Sequence, residues 1–181
     1  MRIVAGRLKG KRIDPPSGFR GRPTTDFARE ALFNVLVHRI DFEGMVVCDL
    51  FAGTGAMGIE SYSRGAERVV AVEQHPAAVS AINRHMAACN MSGSKALRAD
   101  VFSFLKSTRE SFDLIIADPP FDMPRIPDLV GAVMEKPGLL QPDGLFILEH
   151  GPEHHFDKAP WFEEERKYGL VHFTFFRPSQ T

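Results

Sequence analysis

The run IIADPPF, residues 115–121, sets a carboxylate, two prolines and an aromatic ring side by side. Pro119 and Pro120 have no backbone N–H to donate and hold the chain extended, which leaves carbonyls directed outward as acceptors. Asp118 adds a carboxylate and Phe121 a flat apolar face. Such a set suits a planar base with an exocyclic NH₂: two acceptors take its hydrogens and a ring stacks against it. Hydrogen bonds from the amino group to Asp118 and the Pro119 carbonyl favour its pyramidal form, freeing the nitrogen lone pair to point at a methyl group. Phe121 would also offset part of the cost of unstacking the base. The letters DPP recur at Asp14-Pro15-Pro16, but no core strand precedes them and Ser17 stands where the aromatic should be. That copy reads as a turn.

A second run, CDLFAGTGAMGIE (48–60), holds Gly53, Gly55 and Gly58 in the spacing G-x-G-x-x-G, with Glu73 20 residues after the first glycine. Those letters match a dinucleotide fingerprint. Asp49 argues otherwise. A glycine loop opening a helix attracts a pyrophosphate, and a carboxylate just ahead of it would repel that group. S-adenosylmethionine instead brings an ammonium and a sulfonium cation, for which the acid is an asset. Glu73 can accept ribose hydroxyls of either cofactor. Asp100 is placed to accept from an adenine amino group, with Val101 and Phe102 packing near the ring. Each acid alone could equally cap the next helix; three at successive strand ends weigh more together. A sulfonium methyl is already activated, so such a site must mostly supply proximity and in-line alignment.

The elements that must position these residues alternate along the chain. Apolar β-rich runs at Met45–Leu50, Arg68–Glu73, Ser94–Ala99, Phe112–Ala117 and Gly144–Glu149 predict strands, and helices are expected at about 56–65, 76–91, 101–109 and 125–135. Pro76 suits a first helical turn, and Val79, Ile82, Met86 and Cys89 recur at helical spacing. This order implies right-handed βαβ units, hence an α/β fold with a parallel sheet and helices on both faces. Trp161–Tyr168 and Leu170–Arg177, around Gly169, predict a terminal antiparallel pair. Ahead of the core, Ile3–Ala5 and Lys11–Ile13 flank Gly6 and Gly10 as a hairpin, and residues 14–23 read as a loop. TTDFAREALFNVLVHRI then predicts a helix with Ala28, Leu32, Val35 and Leu36 on one face and Thr25 or Asp26 as N-cap.

At 181 residues the chain fits one domain, divided into a basic arm (1–22) and a catalytic core (23–181). No apolar run approaches a membrane span, and the opening MRIVAGRLKGKRI lacks a signal peptide's apolar stretch. With only Cys48 and Cys89, the expectation is a thiol-reducing cytoplasm and no metal cluster. The net charge of −1 hides an asymmetry. Residues 1–22 hold Arg2, Arg7, Lys9, Lys11, Arg12, Arg20 and Arg22 against the single acid Asp14, a net of +6, so the remainder carries −7. A basic arm on an acidic body suits a polyanionic partner as well as it suits a solvated hairpin.

With CDLFAGTGAMGIE, VEQHP, RADVF and IIADPPF in this order, the chain resembles class I S-adenosylmethionine-dependent methyltransferases of the amino-methylating type. RIVAGRLKGKRI followed by RPTTDFAREALFN narrows the resemblance to the bacterial 16S ribosomal RNA guanine-N2 methyltransferase family, from Arg2 to about Arg177. The resemblance implies a Rossmann-like fold whose seven-stranded, mostly parallel sheet has an antiparallel last strand. It implies methyl transfer to guanine N2 and release of S-adenosylhomocysteine. Family cofactor contacts fall on Asp49, Phe51, Ala52, Gly53, Thr54, Gly55, Glu73, Asp100 and Val101, and the catalytic motif on Asp118–Phe121. Arg22, Pro23 and Thr24, with Thr25 and Arg29, would close over the cofactor's methionine end or the target base.

The expected partner is 16S rRNA, contacted by Arg2, Arg7, Lys9, Lys11, Arg12, Arg22 and Arg29, with Arg20 and Arg125 as additions. Because the family has no separate RNA-binding domain, an assembled small-subunit ribonucleoprotein is expected to present the target. A monomer is the default, with no membrane partner. Three rivals remain at this point: adenine-N6 methylation of DNA or RNA, an NAD-dependent oxidoreductase, and a binding module without catalysis. His154-His155 reads as a surface loop, His75 as a helix entry, and Glu163–Glu165 as a solvated acidic run. Trp161 and the phenylalanines of HFTFF (172–176) read as core, as do Cys48 and Cys89.

Overall fold

A computed structural model describes residues 1–15 and 26–178. Their elements run α1 (Asp26–Leu36), β1 (Val46–Leu50), α2 (Ala56–Ser63), β2 (Arg68–Glu73), α3 (Pro76–Ala88), β3 (Lys95–Arg98), α4 (Val101–Ser107), β4 (Phe112–Ala117), α5 (Ile126–Met134), β5 (Leu140–His150), β6 (Phe162–Tyr168) and β7 (Val171–Phe176). The seven strands form one sheet in the order β3-β2-β1-β4-β5-β7-β6. Pairing is parallel from β3 to β5, and β7 runs antiparallel to both β5 and β6. The chain winds outward from β1 to β3, then returns so that β4 lies beside β1. A topological switch point therefore sits between β1 and β4, where an open α/β sheet has its ligand crevice.

The strands are apolar almost throughout because both faces are covered. One core layer joins Val47, Val69, Ala71, Leu114, Ile116, Leu145, Ile147, Phe173 and Phe175 of the sheet to α1, α2 and α3. The other joins Cys48, Val70, Ile115, Phe146, Leu148 and Phe176 to α4 and α5. Pro76 occupies the first turn of α3 after His75, and Asp100 caps α4 by accepting from the Ser103 amide at 2.9 Å. Expected and observed elements agree, apart from β5. It begins at Leu140 rather than Gly144, through a register irregularity opposite Phe112–Leu114.

The N-terminal ribbon is less regular than a hairpin and more firmly attached than an arm. A single antiparallel bridge pairs Arg2 with Arg12, and Ile3 and Ile13 are buried in the core. The buried Glu60 of α2 holds this ribbon, accepting from the Val4 and Ala5 amides at 2.9 and 3.1 Å and from Arg64 Nε at 2.9 Å. Gly6 (φ +80°) passes so near α2 that a Cβ there would land on the Ser63 carbonyl. Arg7, expected at RNA, lies over the Tyr62 ring and donates to the Tyr62 and Ala66 carbonyls. Lys11 Nζ donates to the Ala88 carbonyl, and Arg12 pairs with Asp14 at 2.7 Å. The ribbon is thus part of the folded body, with Arg2, Lys9 and Arg12 exposed on it.

One further expectation changes. Glu163–Glu165 is not simply solvated: Arg39, Arg166, Lys167, His172 and Arg177 pair with it across β6 and its neighbours. His154 and His155 lie in the loop between β5 and β6, as expected, with His154 partly buried over His150.

Candidate active site

The carboxyl ends of the strands open into one cavity of about 1070 Å³. Its lining divides at the switch point. The loops after β1, β2 and β3 supply Asp49, Phe51, Ala52, Gly53, Thr54, Glu73, Gln74, Asp100, Val101 and Phe102. From the β4, β5 and β7 side come Asp118, Pro119, Pro120, Phe121, Glu149 and Val171, joined by Arg29 of α1. A cavity this size lies at the upper end of the roughly 300–1,000 Å³ of small-molecule sites.

Asp49 ends β1 and is 2% exposed, with Oδ2 accepting from the Gly58 amide at 2.9 Å. Burial pushes its carboxyl up to about 8, opposed by the Gly58 bond and reinforced by Asp118 and Glu73. A cation placed in the cavity would relieve that penalty; a pyrophosphate would deepen it. Gly58 permits this approach of helix to strand, because a Cβ there would stand 2.6 Å from Val69 Cγ1 and 3.2 Å from Asp49 Oδ2. The loop between them turns through the left-handed region at Phe51 (φ 60°), Gly53 (55°) and Gly55 (77°). For Phe51 that conformation is costly, and such strain collects at functional sites.

Glu73 braces the same loop. Its Oε2 accepts from the Gly53 amide at 2.9 Å and its Oε1 from the His75 amide at 2.8 Å. Both bonds pin the carboxylate at the cavity wall and leave further lone pairs for ribose hydroxyls. Asp100 likewise combines capping with lining, spending Oδ1 on Ser103. Arg125 lies 3.6 Å over the Phe102 ring at this end of the cavity. The loops after β1, β2 and β3 thus line the cavity with three acids and no basic side chain. This donor set fits the ammonium, ribose and adenine of S-adenosylmethionine, and among the described residues these loops set no basic side chain against a pyrophosphate.

Across the switch point, Asp118 and Phe121 are half-buried and Pro119 is buried. The Asp118 amide donates to the Leu50 carbonyl at 3.3 Å, which ties the DPPF loop to the end of β1. The DPPF motif and the glycine loop are therefore neighbours in space. Arg22 and Thr24 lie outside the described residues. Arg29 is 2% exposed and lines the cavity, whereas Arg2, Lys9 and Arg12 lie exposed on the ribbon. Gly55 does not line the cavity itself; it serves as the N-cap of α2.

Glu149 was missed by the sequence motifs. It follows an ordinary apolar strand run, and only the β4–β5 register reveals it beside Asp118. Another unforeseen cluster joins His150, Glu165 and His172 from β5, β6 and β7. Hydrogen bonds link these groups within the protein: His150 to the Gly151 carbonyl and Thr174 hydroxyl, and His172 to Glu165.

Fold and site together define a class I S-adenosylmethionine-dependent methyltransferase. The chain belongs to the family described as conserved hypothetical protein 95, whose pattern matches residues 1–177. Among its relatives is the ribosomal RNA small subunit methyltransferase D of Escherichia coli, 28% identical over 160 residues that span 88% of this chain and 79% of the relative. The structure of the Escherichia coli protein YhhF superposes with a TM-score of 0.85 at 27% identity, covering 99% of both chains. The Thermus thermophilus 16S rRNA N2 methyltransferase solved with AdoMet and guanosine superposes at 0.71 with 25% identity, over 99% of this chain and 49% of that one. Among the described residues no helix is long and apolar enough to cross a membrane.

Proposed function

We propose that this protein transfers a methyl group from S-adenosylmethionine to the exocyclic N2 amino group of a guanine in 16S rRNA. The observation that carries the reading is the single cavity in which the acidic loops of β1–β3 meet Asp118–Phe121 across the switch point. When bound, the cofactor supplies a methyl group already activated on a sulfonium. Asp49 would receive its ammonium, Glu73 its ribose hydroxyls, and Asp100, Val101 and Phe102 its adenine. Phe121 would stack on the target base, while the Asp118 carboxylate and Pro119 carbonyl accept its two amino hydrogens. These bonds hold the nitrogen pyramidal with its lone pair toward the cofactor half. The proton released after transfer passes to the Asp118 carboxylate.

The choice of 16S rRNA and guanine draws support from the Escherichia coli relative and from the guanosine-bound Thermus neighbour. The compact basic face of Arg2, Lys9 and Arg12 favours a substrate presented by an assembled small-subunit particle, since few phosphate contacts give little affinity for naked RNA. Asp118→Ala tests the role assigned here. Methyl transfer should fall on the order of 10²–10³-fold, with S-adenosylhomocysteine affinity unchanged within about threefold. A fully active variant would remove Asp118 from the chemistry. Faster transfer to naked rRNA than to particles would contradict the proposed presentation.

A further inference from the structure

Two buried charges line the half of the cavity that faces the DPPF motif. Arg29 of α1 is 2% exposed and lines the cavity. Its Nη2 donates to the Arg2 carbonyl at 3.0 Å, and its Nη1 lies 3.0 Å from Asp26 Oδ1, too far off line for a hydrogen bond. Its Nε and Nη1 find no hydrogen-bond partner among the described residues. A buried guanidinium with open donors is costly unless something fills them. Glu149, also 2% exposed, ends β5 and lines the same wall.

Strand register places Glu149 beside the catalytic motif. Ala117 of β4 pairs with Leu148 of β5 in parallel, so Asp118 and Glu149 follow at the same level on strands roughly 5 Å apart. Ala117 and Leu148 belong to the α4–α5 core, which turns the next residue of each strand toward the face that α1 covers. A donor-accepting wall therefore runs from Asp118 to Glu149, with the Arg29 guanidinium entering from α1.

Guanine offers a matching sequence along one edge: the N2 amino donor, the N1–H donor, then the O6 acceptor. Adenine offers an acceptor, N1, beside its exocyclic amino group. We infer that Glu149 accepts the N1–H of the target guanine and Arg29 donates to its O6, so that this pair selects guanine over adenine while Asp118 holds the reacting amino group. The inference rests on the guanine-N2 reading above and extends it to residues outside the DPPF motif. A carboxylate at Glu149 would face the N1 lone pair of adenine, acceptor against acceptor, whereas guanine offers Glu149 a donor and the open Arg29 donors an acceptor.

The test is a cycle between protein and base. Small-subunit rRNA is joined from two segments so that the methylated nucleotide carries guanine, N1-methylguanine or adenine. The wild-type enzyme should use the two replacements at least about 30-fold less efficiently in kcat/KM, the size of one lost base-edge contact. Glu149→Ala removes the N1 partner and opens space for a methyl group. It should slow transfer to guanine yet treat guanine and N1-methylguanine within about threefold, with S-adenosylhomocysteine affinity retained. Glu149→Gln enters the same cycle and serves alone if the alanine variant does not bind S-adenosylhomocysteine. Arg29→Met should slow transfer to guanine without narrowing the N1-methyl discrimination. If the Glu149 variants discriminate against N1-methylguanine as strongly as the wild type, Glu149 does not read N1 and the inference falls. Failure of the underlying reading would look different, since the wild-type enzyme would then form no N2-methylguanine on the unmodified RNA.

Discussion

The proposed contact of Asp49 with the cofactor's ammonium would couple binding to pH. The Asp49 carboxyl rises from 3.8 to about 8 because it is buried near Asp118 and Glu73, with one amide bond in compensation. Ionising it in the free protein therefore costs roughly 6 kcal/mol relative to the unfolded chain. Between pH 4 and 8 the folded state holds a proton that the unfolded state has lost, so stability falls as pH rises through this range and levels off above about 8. Asp49→Asn keeps an acceptor for the Gly58 amide and carries no titration. Its stability relative to the wild type should increase by about 3 kcal/mol between pH 6 and pH 9, measured by urea unfolding at both values.

Binding has the opposite slope. An ammonium beside Asp49 requires the carboxylate, so the wild type must release close to one proton on binding S-adenosylhomocysteine at pH 6. Affinity should then rise about 20-fold from pH 6 to 7.5. Calorimetry in buffers of different ionisation enthalpy reads the proton directly. The asparagine variant should bind more weakly at pH 7.5, with little pH dependence and no proton release. Wild-type affinity that is flat over this range, with no proton released, would refute the electrostatic role given to Asp49.

Other consequences concern the ribbon. Glu60→Ala leaves Arg64 buried without its carboxylate and the Val4 and Ala5 amides without their acceptor. A loss of about 3–5 kcal/mol is expected in denaturant unfolding, together with fast hydrogen exchange at those amides. Replacing Lys9, Lys11 and Arg12 by alanine should weaken binding to small-subunit particles and flatten the salt dependence by up to about 2 in the log–log slope. An unchanged slope would place RNA elsewhere on the protein.

The sheet was largely legible because parallel strands buried on both faces write themselves as short apolar runs, as at Arg68–Glu73 and Phe112–Ala117. The three strand-end acids were legible for a related reason: each breaks an apolar run at the point where a loop begins. In the structure they cap or brace loops and also line the cavity. Glu60 was invisible because its partners lie 55 and 56 residues away in the ribbon. Arg29 was expected among the RNA cations and over the cofactor's methionine end or the target base, and its burial follows from the packing of α1. The nearness of Glu149 to Asp118 depends on the β4–β5 register, and the His150–Glu165–His172 cluster on β7 inserting between β5 and β6, pairings that local patterns do not encode.

The identity of the methylated atom distinguishes guanine-N2 transfer from its rivals. Purified protein incubated with small-subunit particles from unmodified cells and methyl-labelled S-adenosylmethionine, followed by nucleoside mass spectrometry of the 16S rRNA, measures it directly. The label is expected in N2-methylguanosine at a single position. Label in N6-methyladenosine, or none in the RNA, would contradict the account.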